Sequence, residues 1–222
     1  MRFYDVFSRF SNFLFPFFFI FSTQIILPKL NPDSILGIGT GSTTNKFITL
    51  LANHKDKFQS AVASSEATKQ LLDKNGITVS DLNDVNFLDL YIDGADEVSP
   101  NYELIKGGGG AHTREKIVAS ASNEFVCIVD ETKLVSQLGA FPLPVEVLPE
   151  SRSLVARKIV SMGGTPIYRN GFITDQGNEI LDVKDLDISN PESIEALLNN
   201  IPGVVDNGIF AFNKPKKVLV SS

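Results

Sequence analysis

From Ser34 to Val129 short apolar runs alternate with helix-patterned stretches, and each apolar run gives way to a polar or glycine-rich loop. Ile35-Leu36-Gly37-Ile38 precedes a helix pattern over 46–54. Ala61-Val62-Ala63 precedes Ser64-Ser65 as caps, a helix over 66–74 and Asn75-Gly76 as its stop. Asp89-Leu90-Tyr91-Ile92 forms a third strand, 113–122 a helix and 124–129 a fourth strand. Strands that alternate with helices predict a parallel sheet covered on both faces.

After Pro142 the order changes to strand, helix, two strands, helix, strand: Val145-Glu146-Val147, 151–162, Pro166-Ile167-Tyr168-Arg169, Ile180-Leu181-Asp182-Val183, 191–199 and Val204-Val205. That order predicts a small α+β insert of ferredoxin-like type. Ile209-Phe210-Ala211 and Lys217-Val218-Leu219-Val220 are expected to return to the main sheet. The fold class is therefore α/β, a Rossmann-like parallel-sheet domain over 34–141 and 208–222 with a ferredoxin-like α+β domain inserted over 142–207. Residues 1–33 stand apart, because 13–21 reads FLFPFFFIF, with Arg2 and Arg9 before it and Ser22-Thr23-Gln24 after it. The run has the look of a signal-peptide core, but Pro16 interrupts it and no clean small-residue cleavage site follows. It is read as a divergent N-terminus, with a targeting signal as the alternative.

A formal net charge of -6, with no basic run longer than Lys216-Lys217, argues against a nucleic-acid partner, which needs a basic face. Cys127 is the single cysteine and lies in the apolar run Phe125 to Val129, so it reads as a core thiol in a reducing compartment. With only His54 and His112 and no Cys/His cluster, no metal site is expected.

Four loops at strand ends can carry chemistry. Gly39-Thr40-Gly41-Ser42-Thr43-Thr44 offers backbone N–H groups, hydroxyls and a helix N-terminus to an anion; as a bare pattern it reads equally well as a turn capped by Ser or Thr. Asp93-Gly94-Ala95-Asp96-Glu97 gathers carboxylates after a strand, suited to sugar hydroxyls, to a cation or to capping. Lys106 followed by Gly107-Gly108-Gly109-Gly110 sets a cation beside unobstructed backbone, or is a mobile loop with a solvated lysine. Glu115, in the first turn of the next helix, is either a general base or a residue answering the helix dipole. Asp130-Glu131-Thr132-Lys133 ends the fourth strand. All four loops are expected on one rim of the sheet, in one cleft.

Together these segments resemble A-type ribose-5-phosphate isomerases: GTGST, SSEAT, YIDGADE, IKGGGGAHTREK, VDETK, FPLPVEV, GNEILDV and IPGVV follow in the family's order from Ile35 to Val220. The resemblance implies interconversion of ribose 5-phosphate and ribulose 5-phosphate through a cis-enediolate, in the non-oxidative pentose phosphate pathway, with no cofactor and no metal. By matching position Glu115 is the base. Asp93 assists ring opening and proton traffic at the sugar hydroxyls, Asp96 orients the sugar, and Lys106 with the glycine N–H groups stabilises the oxyanion. Thr40, Gly41, Ser42 and Thr43 cradle the phosphate, while Gly94, Ala95, Gly107, Gly108, Gly109 and Lys133 complete the substrate contacts. The family implies a cytoplasmic homodimer with a small sugar phosphate as its only ligand, and neither nucleic acid nor membrane as partner.

Two departures stand out. The chain has no lysine before Lys29, where the family carries one that reaches the phosphate, and His112 stands where a small or apolar residue is usual. The alternative reading is a sugar-phosphate sensor or pseudoenzyme of the same fold. A regulator would carry a helix-turn-helix and a basic face, and neither pattern is present.

Overall fold

The computed structural model describes residues 25–221; most of the Phe-rich segment, residues 1–24, lies outside them. Along the chain run β1 (Ile35–Ile38), α1 (Ser42–Leu51), β2 (Ser60–Ala63), α2 (Glu66–Lys74), β3 (Leu90–Asp93), β4 (Glu97–Val98), β5 (Leu104–Ile105), α3 (His112–Ser120), β6 (Phe125–Asp130), β7 (Leu143–Val147), α4 (Arg152–Ser161), β8 (Thr165–Tyr168), β9 (Glu179–Lys184), α5 (Pro191–Asn199), β10 (Val204–Asn207), β11 (Ile209–Phe210) and β12 (Lys217–Ser221). Two compact units result. One takes the described residues up to Gly94, then Ile117–Thr132 and the chain from Pro215 onward; the other takes Ala95–Lys116 and Lys133–Lys214.

The first unit is a five-stranded sheet in the order β12-β6-β3-β1-β2, every neighbouring pair parallel. Its strands are short and apolar because helices cover both faces. Cys127 is fully buried in β6. α1 turns Thr44, Phe47, Ile48 and Leu51 inward, the spacing of one helical face, against Leu36, Ile38 and Ile92 of the core. Ser65 caps α2 by accepting from the Thr68 N–H at 3.1 Å, and Gly76 closes it at φ 66°. Counted along the sheet the strands run second, first, third, fourth, fifth. The order reverses between β1 and β3, the point where open parallel sheets leave a crevice at their carboxyl ends.

The second unit holds a four-stranded antiparallel sheet in the order β10-β7-β9-β8, with α4 joining β7 to β8 and α5 joining β9 to β10. This is the β-α-β-β-α-β arrangement expected from the sequence. Val145, Val147, Val155, Ile159, Leu181 and Leu198 form part of its core.

Two expectations need correction. Ile209-Phe210 does not return to the main sheet: β11 pairs antiparallel with β5, which pairs with β4, in a separate three-stranded sheet. Of the two C-terminal runs only β12 joins the parallel sheet, beside β6. The first helix begins at Ser42 rather than 46, because Gly41, at φ 125°, ends the loop where no Ser or Thr side chain does.

Candidate active site

In the first unit the loop after β1 is built around Asp93, the last residue of β3 and 1% exposed. Its Oδ1 accepts from the Thr40 N–H at 3.1 Å, the Thr44 hydroxyl at 3.2 Å and the Gly94 N–H at 2.7 Å. Its Oδ2 accepts from the Tyr91 hydroxyl. Gly39 lies so close beneath this carboxyl that a methyl group there would overlap it, which is why the loop opens with glycine. The Thr40 hydroxyl is engaged with Ser64 and Ser65 at 2.8 Å, tying the loop to the start of α2.

Gly41 occupies the cap of α1 and no side chain caps the helix. The capped-turn alternative is therefore not what forms. The first-turn amides of Ser42, Thr43 and Thr44 carry the positive end of the helix dipole, and Gly41 and Ser42 are exposed. An exposed helix start of this kind binds an anion through its N–H groups and hydroxyls.

In the second unit Lys106 follows β5 and Glu115 stands in the first turn of α3. Their Nζ and Oε2 atoms lie 3.2 Å apart, with side chains only 3% and 5% exposed. Burying two charges is costly unless each offsets the other, and this pair does so. The Phe210 ring lies 5.6 Å from the Lys106 ammonium and 5.1 Å from that of Lys116. Lys116 is held separately by Glu195 at 3.0 Å, Asp206 at 2.8 Å and the Asn207 carbonyl at 2.7 Å. On α3 Lys116 is thus a structural pin, and Glu115 is set beside the Lys106 ammonium.

Between Lys106 and α3 runs the glycine loop. Gly108 and Gly109 are exposed, and the Gly108 N–H donates to Asp96 Oδ2 at 2.8 Å. His112 packs beneath Gly107. It is fully buried, and neither ring nitrogen has a hydrogen-bond partner. Burial first, and then the nearby Lys116, Arg169 and Lys106 charges, push its pKa down to about 3; the Asp206 backbone opposes this without forming a proper bond. His112 is therefore neutral, a space-filling ring rather than a proton carrier. Ala95 and Asp96 join β3 to β4, and Lys133, half-buried, ends the 3-10 turn Glu131–Lys133.

Three partners have no role assigned by the motifs above. Tyr91 lies two residues before Asp93, on the same strand face, and the period of a strand could have found it. Arg169, which bonds the glycine loop from 61 and 62 residues away, belongs to no motif. Glu146 lies inside the FPLPVEV stretch without a role there, and is fully buried and bonded by Thr113, Thr174 and Asn178. Among the described residues no group of three or more His, Cys, Asp and Glu could hold a metal ion, and no helix is long and apolar enough to cross a membrane.

Comparison with known proteins gives a consistent result. The family model for Ribose 5-phosphate isomerase A (phosphoriboisomerase A) matches residues 60–222. A Legionella pneumophila protein named Ribose-5-phosphate isomerase A is 58% identical over 201 residues, 90% of this chain and 93% of the relative. The crystal structure of ribose 5-phosphate isomerase A from Neisseria gonorrhoeae superposes with a TM-score of 0.89 at 46% identity, covering 93% of both chains. A D-ribose-5-phosphate isomerase solved in complex with phospho-erythronic acid superposes with a TM-score of 0.84 at 36% identity, covering 91% of this chain and 94% of that one.

Proposed function

The chain belongs to the ribose-5-phosphate isomerase A family, and from that premise we propose that it interconverts D-ribose 5-phosphate and D-ribulose 5-phosphate, with Glu115 as the base. The buried Lys106–Glu115 pair at 3.2 Å carries the reading. In the open-chain aldose the Glu115 carboxylate takes the proton from C2. The electron pair forms a C1–C2 double bond, and the carbonyl oxygen on C1 gains the negative charge. Lys106 and a glycine N–H answer that charge as it develops. Glu115 then returns its proton to C1, while the hydroxyl proton on O2 passes to O1, giving the ketose.

The other residues implied by the family resemblance bind the phosphorylated sugar in this reading. Gly41, Ser42 and Thr43 take the phosphate, and Thr40 shapes the loop that presents them. Asp93, which accepts four hydrogen bonds and is held in place by them, is suited to orienting hydroxyls during ring opening. Gly94, Ala95, Asp96, Gly107, Gly108, Gly109 and Lys133 supply further substrate contacts. Family membership further supports a homodimer in the cytoplasm, and light scattering of the purified chain tests the first of these.

The deciding experiment measures ketose formation from ribose 5-phosphate by the wild-type chain and by Glu115→Gln, with binding followed by calorimetry. The variant is expected to lose about 10²–10⁴ in kcat while still binding the sugar phosphate. Wild-type turnover in a Glu115→Gln variant removes Glu115 from the chemistry. Binding without turnover in the wild type replaces the isomerase with a sensor.

A further inference from the structure

The five N–H donors of Arg169 are all directed at acceptors. Nε donates to Asp182 Oδ2 at 2.8 Å, and Nη2 donates to Asp182 Oδ1 and to the Gly107 carbonyl at 3.3 Å. Nη1 donates to the carbonyls of Gly107 at 3.3 Å and Gly108 at 3.2 Å. The guanidinium thus joins a carboxylate on β9 to two successive peptides of the glycine loop, a task that needs a planar fork. The guanidinium carbon lies over the Phe172 ring, 5.3 Å from its centroid, and the same ring lies against Gly110.

Fixing two carbonyls fixes two amides. A trans peptide points its C=O and N–H in opposite directions, so drawing the Gly107 carbonyl to Arg169 turns the Gly108 N–H away, and Asp96 receives it. Drawing the Gly108 carbonyl to the same guanidinium turns the Gly109 N–H away in its turn. Gly109 is exposed, and a side chain added there would meet nothing within 4 Å.

We infer that Arg169, clamped by Asp182, is a positioning residue of the isomerisation: it aims the Gly109 N–H outward as a fixed donor to the enediolate oxygen. This rests on the isomerase reading above. It gives the α+β insert a part in the reaction, because the residue that sets the oxyanion donor follows β8 and its clamp lies on β9. A donor held in advance stabilises charge without having to reorganise when the charge appears. The loop's own bond, from the Gly110 N–H to the Gly107 carbonyl at 2.9 Å, leaves the Gly108 carbonyl to Arg169, and glycine adds no conformational restraint there.

Four measurements test this. Arg169→Ala should lower kcat about 100-fold, leave KM for ribose 5-phosphate largely unchanged, and recover activity when guanidinium ion is added. Arg169→Lys should do no better than alanine, since one ammonium cannot span Asp182 and both carbonyls. Two readouts need no turnover, so they separate this inference from the isomerase reading itself. Hydrogen exchange of the 108–110 amides should quicken in Arg169→Ala and in Asp182→Asn. Affinity for phospho-erythronate, whose carboxylate offers an oxyanion, should fall in both variants while affinity for inorganic phosphate holds. Unchanged exchange together with unchanged phospho-erythronate affinity overturns the assignment. So does a loss of kcat that guanidinium leaves untouched and that follows the thermal midpoint downward.

Discussion

The Lys106 ammonium and the Glu115 carboxylate face each other at 3.2 Å with almost no access to water. Removing one partner leaves the other as an uncompensated buried charge, a loss of about 3–5 kcal/mol. Lys106→Met is therefore expected to lower the thermal midpoint and also to lower kcat about 100-fold, since the developing oxyanion loses a cation. Lys106→Met with Glu115→Gln should regain much of the stability and none of the turnover. A double variant as unstable as Lys106→Met alone would show that the two groups are not paired in solution.

His112 makes a separate prediction about pH. Its pKa lies near 3 in the folded chain and near 6.5 when unfolded, because it is buried among Lys116, Arg169 and Lys106 with only the Asp206 backbone to help. Below pH 6.5 the unfolded chain therefore binds a proton that the folded chain refuses. Stability is intact above that pH and is lost as pH falls, by at most about 1.4 kcal/mol per unit. His112→Leu removes the term. Its midpoint should be at least as high as wild type at pH 7.5, and its advantage should widen toward pH 4.5. A constant gap across that range would show that the ring is protonated or well bonded when folded.

Local signals explain what was legible in the sequence. Helices 66–74 and 191–199 could be bounded because Ser65 and Asn190 accept at their starts and polar stops follow them. The start of α1 was not, since its cap is a glycine whose meaning lies in a φ of 125° and not in a side chain. β4 and β5 hold two residues each, too few for any period to show. β11 reads as an apolar run that any sheet could accept. The site divides in the same way. Loops at strand ends announce themselves by composition, whereas Arg169 reaches Gly108 from 61 residues away and Glu146 reaches Thr113 from 33, and no local composition shows such a partner.

Gly39 tests how tightly the loop after β1 is built. A methyl at this position overlaps the Asp93 carboxyl, which is itself held by four donors. Gly39→Ala should cost about 1–3 kcal/mol as overpacking and raise KM by displacing Asp93 and Thr40. Gly41→Ala meets open space at φ 125°, so its cost is backbone strain of about 1–3 kcal/mol, with Asp93 undisturbed. Comparing urea unfolding and KM of the two variants separates crowding from strain. Equal KM values would mean that Asp93 moves aside without consequence for substrate.

Tyr91→Phe decides what Asp93 does. Tyr91 is fully buried and its ring packs on Phe125 at 4.7 Å, so the change removes only the hydroxyl that donates to Asp93 Oδ2. Losing a hydrogen bond to a charged group costs about 1.5–3 kcal/mol, and the thermal midpoint should fall to match. The three donors to Oδ1 remain and keep the carboxylate anchored by one oxygen, free to pivot about it. If Asp93 orients the sugar, the pivot blurs where the sugar hydroxyls are held: KM rises severalfold and kcat changes little. If instead Asp93 exchanges a proton with the sugar, Tyr91 is its nearest hydroxyl partner, and kcat collapses with KM unmoved. The four donors already on the carboxylate favour the first outcome, because they fix its position as an acceptor beside the loop after β1.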